Sequence, residues 1–271
     1  MRFRILNLIG ILSVMAMPAA AQDYQSSPPR ADAVAKDWGP WLGPYRAKVT
    51  AKMLEDFGEQ YLYAPENAVL APPAKGEKRV VFIGDSITDR WDLARSFPGQ
   101  PYVNRGIGGQ VTPQMVVRFH ADVIALKPAA VVILGGVNDV QGVMQVVSED
   151  EMEANYQAMA EMADAHHIKA IFTAILPLNN YTDNAQSVLR DRRPEILYRV
   201  NIWLKTWCAQ HHYGFIDYGP ALRDDKGLLR ADYTTDGIHP NDAAYAAMAP
   251  VAQRVIDATL GVQKERVSQW K

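Results

Sequence analysis

The sequence predicts an α/β protein built on a five-stranded parallel sheet. From Arg79 onward, short apolar runs alternate with segments of helical period, the pattern of strands joined by crossover helices. The runs, "VVFI" and "AVVIL" among them, are apolar at every position rather than every second one. A strand covered by helices on both faces needs that composition, because neither face meets water.

The elements follow in order. Residues 1–21 carry Arg2 and Arg4, an apolar run from Ile5 to Met17, then Pro18 and three alanines. This is the order of a secretory signal peptide cut after Ala21, and the run is short of the about 20 residues a membrane span needs. No Cys follows the cut, which argues against a lipid-modified start. Residues 22–78 read as a polar leader, an amphipathic helix over 46–61 with Val49, Met53, Phe57 and Tyr61 in register, and the linker "APPAKGEK". The catalytic-scale domain spans 79–262, and 263–271 is a C-terminal tail. Its strands are expected at Val80–Ile83, Tyr102–Asn104, Ala130–Leu134, Lys169–Ile175 and Gly214–Asp217. Between the second and third lies "TPQMVVRFHADVIAL", a helix with Thr112 as N-cap, Pro113 at its first position and Val116, Phe119, Val123 and Leu126 on one face. A last helix from about Ala243 to Leu260 closes the domain.

Bulk properties exclude several classes. Without Arg2 and Arg4, 26 basic residues stand against 30 acidic ones, so neither nucleic acid nor an anionic membrane surface is an expected partner. Cys208 is the single cysteine and forms no intrachain disulfide; its four-residue spacing from Ile196, Val200 and Leu204 marks it as a buried thiol. The pairs His166-His167 and His211-His212 lack a carboxylate or thiol at ligand spacing, so no metal and no cofactor is expected.

In parallel sheets ligands bind beyond the carboxyl ends of the strands, and the residues at those ends are distinctive. The first strand runs into "GDSIT" with Ser86, the second into "NRGIGGQ", the third into "GGVND" with Asn138. After the fifth comes an excursion and then "TTDGIHPND" with Asp236 and His239. The fifth strand can lie three spacings from the first, roughly 15 Å at about 4.8 Å each, and the residues after Asp217 span that easily.

These types suit acyl transfer. A serine hydroxyl needs a base to take its proton, here His239, and a carboxylate three residues earlier, Asp236, can hold the imidazole in one tautomer. The oxyanion needs preset donors: the Ser86 N–H, a glycine N–H of the second junction and the Asn138 amide. Asp85 is expected to tighten the turn behind Ser86, and Asp139 to cap the segment that follows it. Trp91 and Arg105 are candidates for lining the substrate pocket. Against this, any one serine or His-Pro pair is by itself an ordinary turn. Of eight serines, however, only Ser86 ends an apolar strand after Gly-Asp, and none lies in Gly-x-Ser-x-Gly. A dinucleotide loop fails because position 111 is Val111 rather than glycine.

Motif by motif, the chain resembles the SGNH, or GDSL, hydrolases. "GDSIT" is similar to the family's first block, with Ile87 where the family name has Leu. "NRGIGGQ" is similar to the second, with a register that places the oxyanion glycine at Gly109. "GGVND" matches the third and "DGIHP" the last, all in family order between residues 84 and 240. The resemblance implies a three-layer α/β/α flavodoxin-like sandwich and metal-independent ester hydrolysis by Ser86, Asp236 and His239. The expected substrate is a small soluble or carbohydrate ester. Lysophospholipase or thioesterase action, acyl transfer, and a non-catalytic carbohydrate-binding module on the same scaffold are the rivals.

Overall fold

A computed structural model of the protein describes residues 42–262. The expected signal peptide, most of the leader and the C-terminal tail lie outside the described residues.

Five parallel strands form the sheet: β1 Val80–Gly84, β2 Tyr102–Gly106, β3 Ala130–Leu134, β4 Lys169–Thr173 and β5 Gly214–Ile216. Their order is β2-β1-β3-β4-β5. Every residue of β1 and of β3 is buried, which explains why those runs carry no polar alternation. The register aligns Val80 with Tyr102 on one side and with Ala130 on the other, so β1 is an interior strand. From β1 the chain runs outward to β2, then crosses back past β1 to β3. The first and third strands therefore send their connections in opposite directions, and a crevice opens between their carboxyl ends.

Helices cover both faces. On one, Phe82 packs with Trp91, Phe97 and Tyr102 at ring distances of 5.5–5.8 Å, and Trp91 stacks at 5.3 Å on Tyr245 of the helix Asp242–Leu260. On the other, Phe172 meets Tyr156 of the helix Glu149–Ala165 and Trp207 of the helix Pro194–His211. Cys208 is fully buried there, and burial pushes its thiol up to about 12; it is a packing residue, as its spacing implies.

The N-terminal segment departs from its periodicity. The helix ends at Glu55 instead of running to Tyr61, and a second helix, Ala64–Val69, follows it. Its continuation is broken by bonds from far along the chain. Gln114 Nε2 donates to the Phe57 carbonyl at 2.9 Å, and Gln110 Nε2 donates to that of Gly58 at 3.0 Å. The helix after β2 is Thr112–Asp122 with Val111 as N-cap, so Thr112 lies inside its first turn; the "VIAL" end winds on as a tighter 3₁₀ turn, Ile124–Leu126.

Candidate active site

Ser86 begins a four-residue helix, Ser86–Asp89, straight after β1. Asp85 caps it, its Oδ1 accepting the Ile87 N–H at 2.9 Å, which turns the chain sharply and leaves Ser86 Oγ at the strand end. Gly106 permits the packing: a Cβ there would run into the Asp89 backbone. The Asp85 carboxyl is fully buried and its Oδ2 has no partner. Burial, with Asp139 nearby adding repulsion, raises it to about 7.

Ser86 Oγ lies 2.8 Å from His239 Nε2, and His239 Nδ1 lies 2.6 Å from Asp236 Oδ2. Burial opposes the Asp236 charge, but the hydrogen bonds from the His239 ring and backbone outweigh it and hold the carboxyl well below the usual range. An ionised carboxylate only accepts, so Nδ1 carries the proton and Nε2 is left to accept from the serine hydroxyl. The loop holds this geometry. Asp236 Oδ1 accepts the N–H groups of Ile238 at 3.0 Å and His239 at 2.9 Å, and the Thr234 hydroxyl at 3.2 Å. Gly237 sits at φ 78°, and a side chain there would strike the Asn179 carbonyl. The Asn179 N–H in turn donates to the Gly237 carbonyl at 3.0 Å, tying the loop after β4 to the histidine loop.

Asn138 lies in the first turn of the helix Val137–Gln141 after β3. One N–H of its amide donates to the Gln110 carbonyl at 3.0 Å, which fixes the side chain and leaves the second N–H for a ligand. Gly108 lies beside Ser86: a Cβ added to it would lie 3.9 Å from Ser86 Cβ. Gly109 follows at φ 81°, a left-handed conformation that favours glycine and turns the next peptide group.

Three expectations are corrected. Arg105 does not reach a pocket: its guanidinium binds Asn67, Glu66 and the Asn104 carbonyl and lies 4.6 Å from the Tyr63 ring centroid, fastening the helix Ala64–Val69 to β2. Trp91 is buried in the aromatic cluster, its Nε1 donating to Ser96 Oγ at 2.8 Å. The cavity it borders, about 720 Å³ between Arg95, Phe97 and the helix Asp242–Leu260, is lined by none of Ser86, Asn138 or His239. Asp139 caps a different helix from its own: its Oδ1 accepts both the N–H, at 2.9 Å, and the hydroxyl, at 2.5 Å, of Thr112. Thr234 and Asn179 were not foreseen. Thr-x-Asp is a local signal for a side-chain-to-backbone turn, but nothing near Asn179 in sequence announces its partner.

Among the described residues, no three His, Cys, Asp or Glu side chains converge as a metal site. A serine, an imidazole and a carboxylate thus stand in hydrogen-bonded series at the switch crevice of a parallel sheet. The chain belongs to the GDSL-like lipase/acylhydrolase family, whose model matches residues 82–247. Among solved structures it is 37% identical to a candidate acylhydrolase from Bacteroides fragilis NCTC 9343, with a TM-score of 0.70 over 76% of this chain and 99% of that one. It is 35% identical to a GDSL-like lipase from Bacteroides thetaiotaomicron VPI-5482, with a TM-score of 0.68 over 74% and 98%. A variant of Axe2, an acetyl xylan esterase from Geobacillus stearothermophilus, matches at 25% identity and a TM-score of 0.54 over 68% and 96%. The lipoprotein YqeF of Bacillus subtilis strain 168, of uncharacterised function, is 32% identical over 124 residues, 38% of this chain; the match spans about half (51%) of that protein.

Proposed function

We propose that the protein is an exported serine esterase that hydrolyses short O-acyl esters, acetylated carbohydrates among them, through an acyl-enzyme. Ser86 attacks the ester carbonyl while His239 takes its proton; the Ser86 N–H, the Gly109 N–H and the Asn138 amide receive the oxyanion. His239 then returns the proton to the leaving alcohol, and water, activated by the same imidazole, releases the acid. Asp236 keeps the imidazole in the competent tautomer. The observation that carries this reading is the unbroken series Ser86 Oγ–His239 Nε2 at 2.8 Å and His239 Nδ1–Asp236 Oδ2 at 2.6 Å.

Export is supported by the signal-like N-terminus and by a relative named as a lipoprotein. No helix among the described residues is long and apolar enough to cross a membrane. The acetyl-ester preference is supported by the acetyl xylan esterase likeness. No nucleic acid, metal or cofactor enters the proposed reaction. A panel of p-nitrophenyl esters of rising chain length, run on the purified protein, tests the reading: fastest turnover of the acetate supports it. A long-chain optimum would make it a lysophospholipase or thioesterase, and no turnover would make it a binding module.

A further inference from the structure

Arg79, Arg105, Arg118 and Arg192 are the buried arginines among the described residues. Three of them make three hydrogen bonds each through the guanidinium. Arg79 binds Glu77 and the carbonyls of Leu126 and Ala71; Arg118 binds Gln110, Asp122 and the Gly84 carbonyl; Arg105 binds Asn67, Glu66 and the Asn104 carbonyl. Arg192 differs. It is 8% exposed, its Nε is sealed off without an acceptor, and no hydrogen bond joins its terminal nitrogens to the described residues. The neighbouring Asp191 carboxylate is engaged by Arg190 Nε at 2.8 Å.

The place matters as much as the missing partners. Arg192 ends the helix Val188–Arg192, which packs against Val137–Gln141, the helix that carries Asn138. Its charge acts on Asp236, the partner of His239, and on Asp85, the residue before Ser86. On the facing helix Gln141 is 1% exposed, and its Oε1 is also buried without a donor. Buried polar groups are nearly always paired, so unmet ones in a native fold ask for a reason. The carboxylates of Asp191 and Asp236 already act on the guanidinium charge. What the site lacks is therefore hydrogen-bond partners rather than negative charge, and a hydroxyl group both accepts and donates.

We propose that Arg192 is a specificity-determining residue: its guanidinium takes a hydroxyl or ring oxygen of the substrate beside the scissile ester, which selects polyol and sugar esters over plain alkyl or aryl ones. This rests on the esterase reading above and names the chemistry its site selects.

The test compares kcat/KM for acetate release from partially acetylated xylo-oligosaccharide with kcat/KM for p-nitrophenyl acetate, in wild type, Arg192→Met and Arg192→Lys. Arg192→Met should lower the ratio of the two constants at least tenfold, mostly through KM on the sugar ester. Arg192→Lys, which keeps the charge but loses the planar fork, should fall between. If Arg192→Met does not fold, the lysine variant must still lower the ratio. An unchanged ratio in both variants overturns the proposal, as does a wild type that cleaves p-nitrophenyl acetate but not the sugar ester. Persistence of p-nitrophenyl acetate cleavage in Ser86→Ala is a different failure, that of the esterase reading itself.

Discussion

Both oxygens of the Asp236 carboxylate serve His239: Oδ2 lies 2.6 Å from the ring Nδ1, and Oδ1 accepts the same residue's backbone N–H at 2.9 Å. One side chain thus sets the tautomer and the position of the imidazole together. Asp236→Asn separates these effects. The amide oxygen can keep the backbone bonds to Ile238 and His239, which turns its NH₂ toward Nδ1. Nδ1 must then accept, the ring proton moves to Nε2, and Ser86 loses its base. kcat should fall by about 10⁴ with the melting temperature little changed; a variant within tenfold of wild type would remove Asp236 from the mechanism.

Ser86→Ala should leave the fold intact, since the Asp85 cap uses the Ile87 N–H and not the serine hydroxyl. Losses on the order of 10⁶ in kcat accompany removal of such a nucleophile. Retention of a tenth of the wild-type rate, measured on p-nitrophenyl acetate, would rule Ser86 out.

Asn138→Ala should cost roughly 10²–10³ in kcat, about 2.7–4 kcal/mol of transition-state stabilisation, with KM nearly constant. Asn138→Asp should be at least as damaging, because it sets an acceptor against both the Gln110 carbonyl and the oxyanion. Steady-state kinetics paired with thermal melts decides: an active Asp variant would leave Asn138 as architecture alone.

Asp85 governs a pH effect on stability. Its folded-state pKa, raised to about 7 by burial, lies above the unfolded value of about 4, so the folded protein holds that proton more tightly. The stabilisation it brings is full below about pH 4 and is lost as pH climbs through about 7. Asp85→Asn keeps an oxygen for the Ile87 N–H and has no proton to lose. Its melting temperature relative to wild type should therefore rise from about pH 5 to about pH 8. A pH-independent difference would mean that Asp85 is ionised throughout.

Exhaustive treatment with EDTA should leave esterase activity unchanged. Activity lost on chelation and restored by zinc or manganese would place a metal in the reaction.

Much of this architecture is readable from the chain because its signals are local. An interior strand shows itself as "AVVIL", and each junction motif sits within a few residues of the strand that presents it. The errors fall where a distant residue decides. The helix over 46–61 looks continuous until Gln110 and Gln114 take the carbonyls at Gly58 and Phe57. Asp139 reads as a cap for its own segment, yet it serves Thr112, 27 positions earlier. Arg105 and Arg192 are indistinguishable as letters in polar stretches. Only packing shows that the first is hydrogen-bonded to its neighbours and the second is not.

Ser86 and His239 are 153 positions apart in the chain, on loops at opposite ends of the domain's sequence. Their 2.8 Å contact exists only after every strand between them has taken its place. A nascent or half-folded chain therefore carries a serine with no base, and so does a fragment clipped anywhere between the two. The chemistry is inert until the whole sheet is built, and its appearance during refolding gives a direct clock for completion of the last crossover.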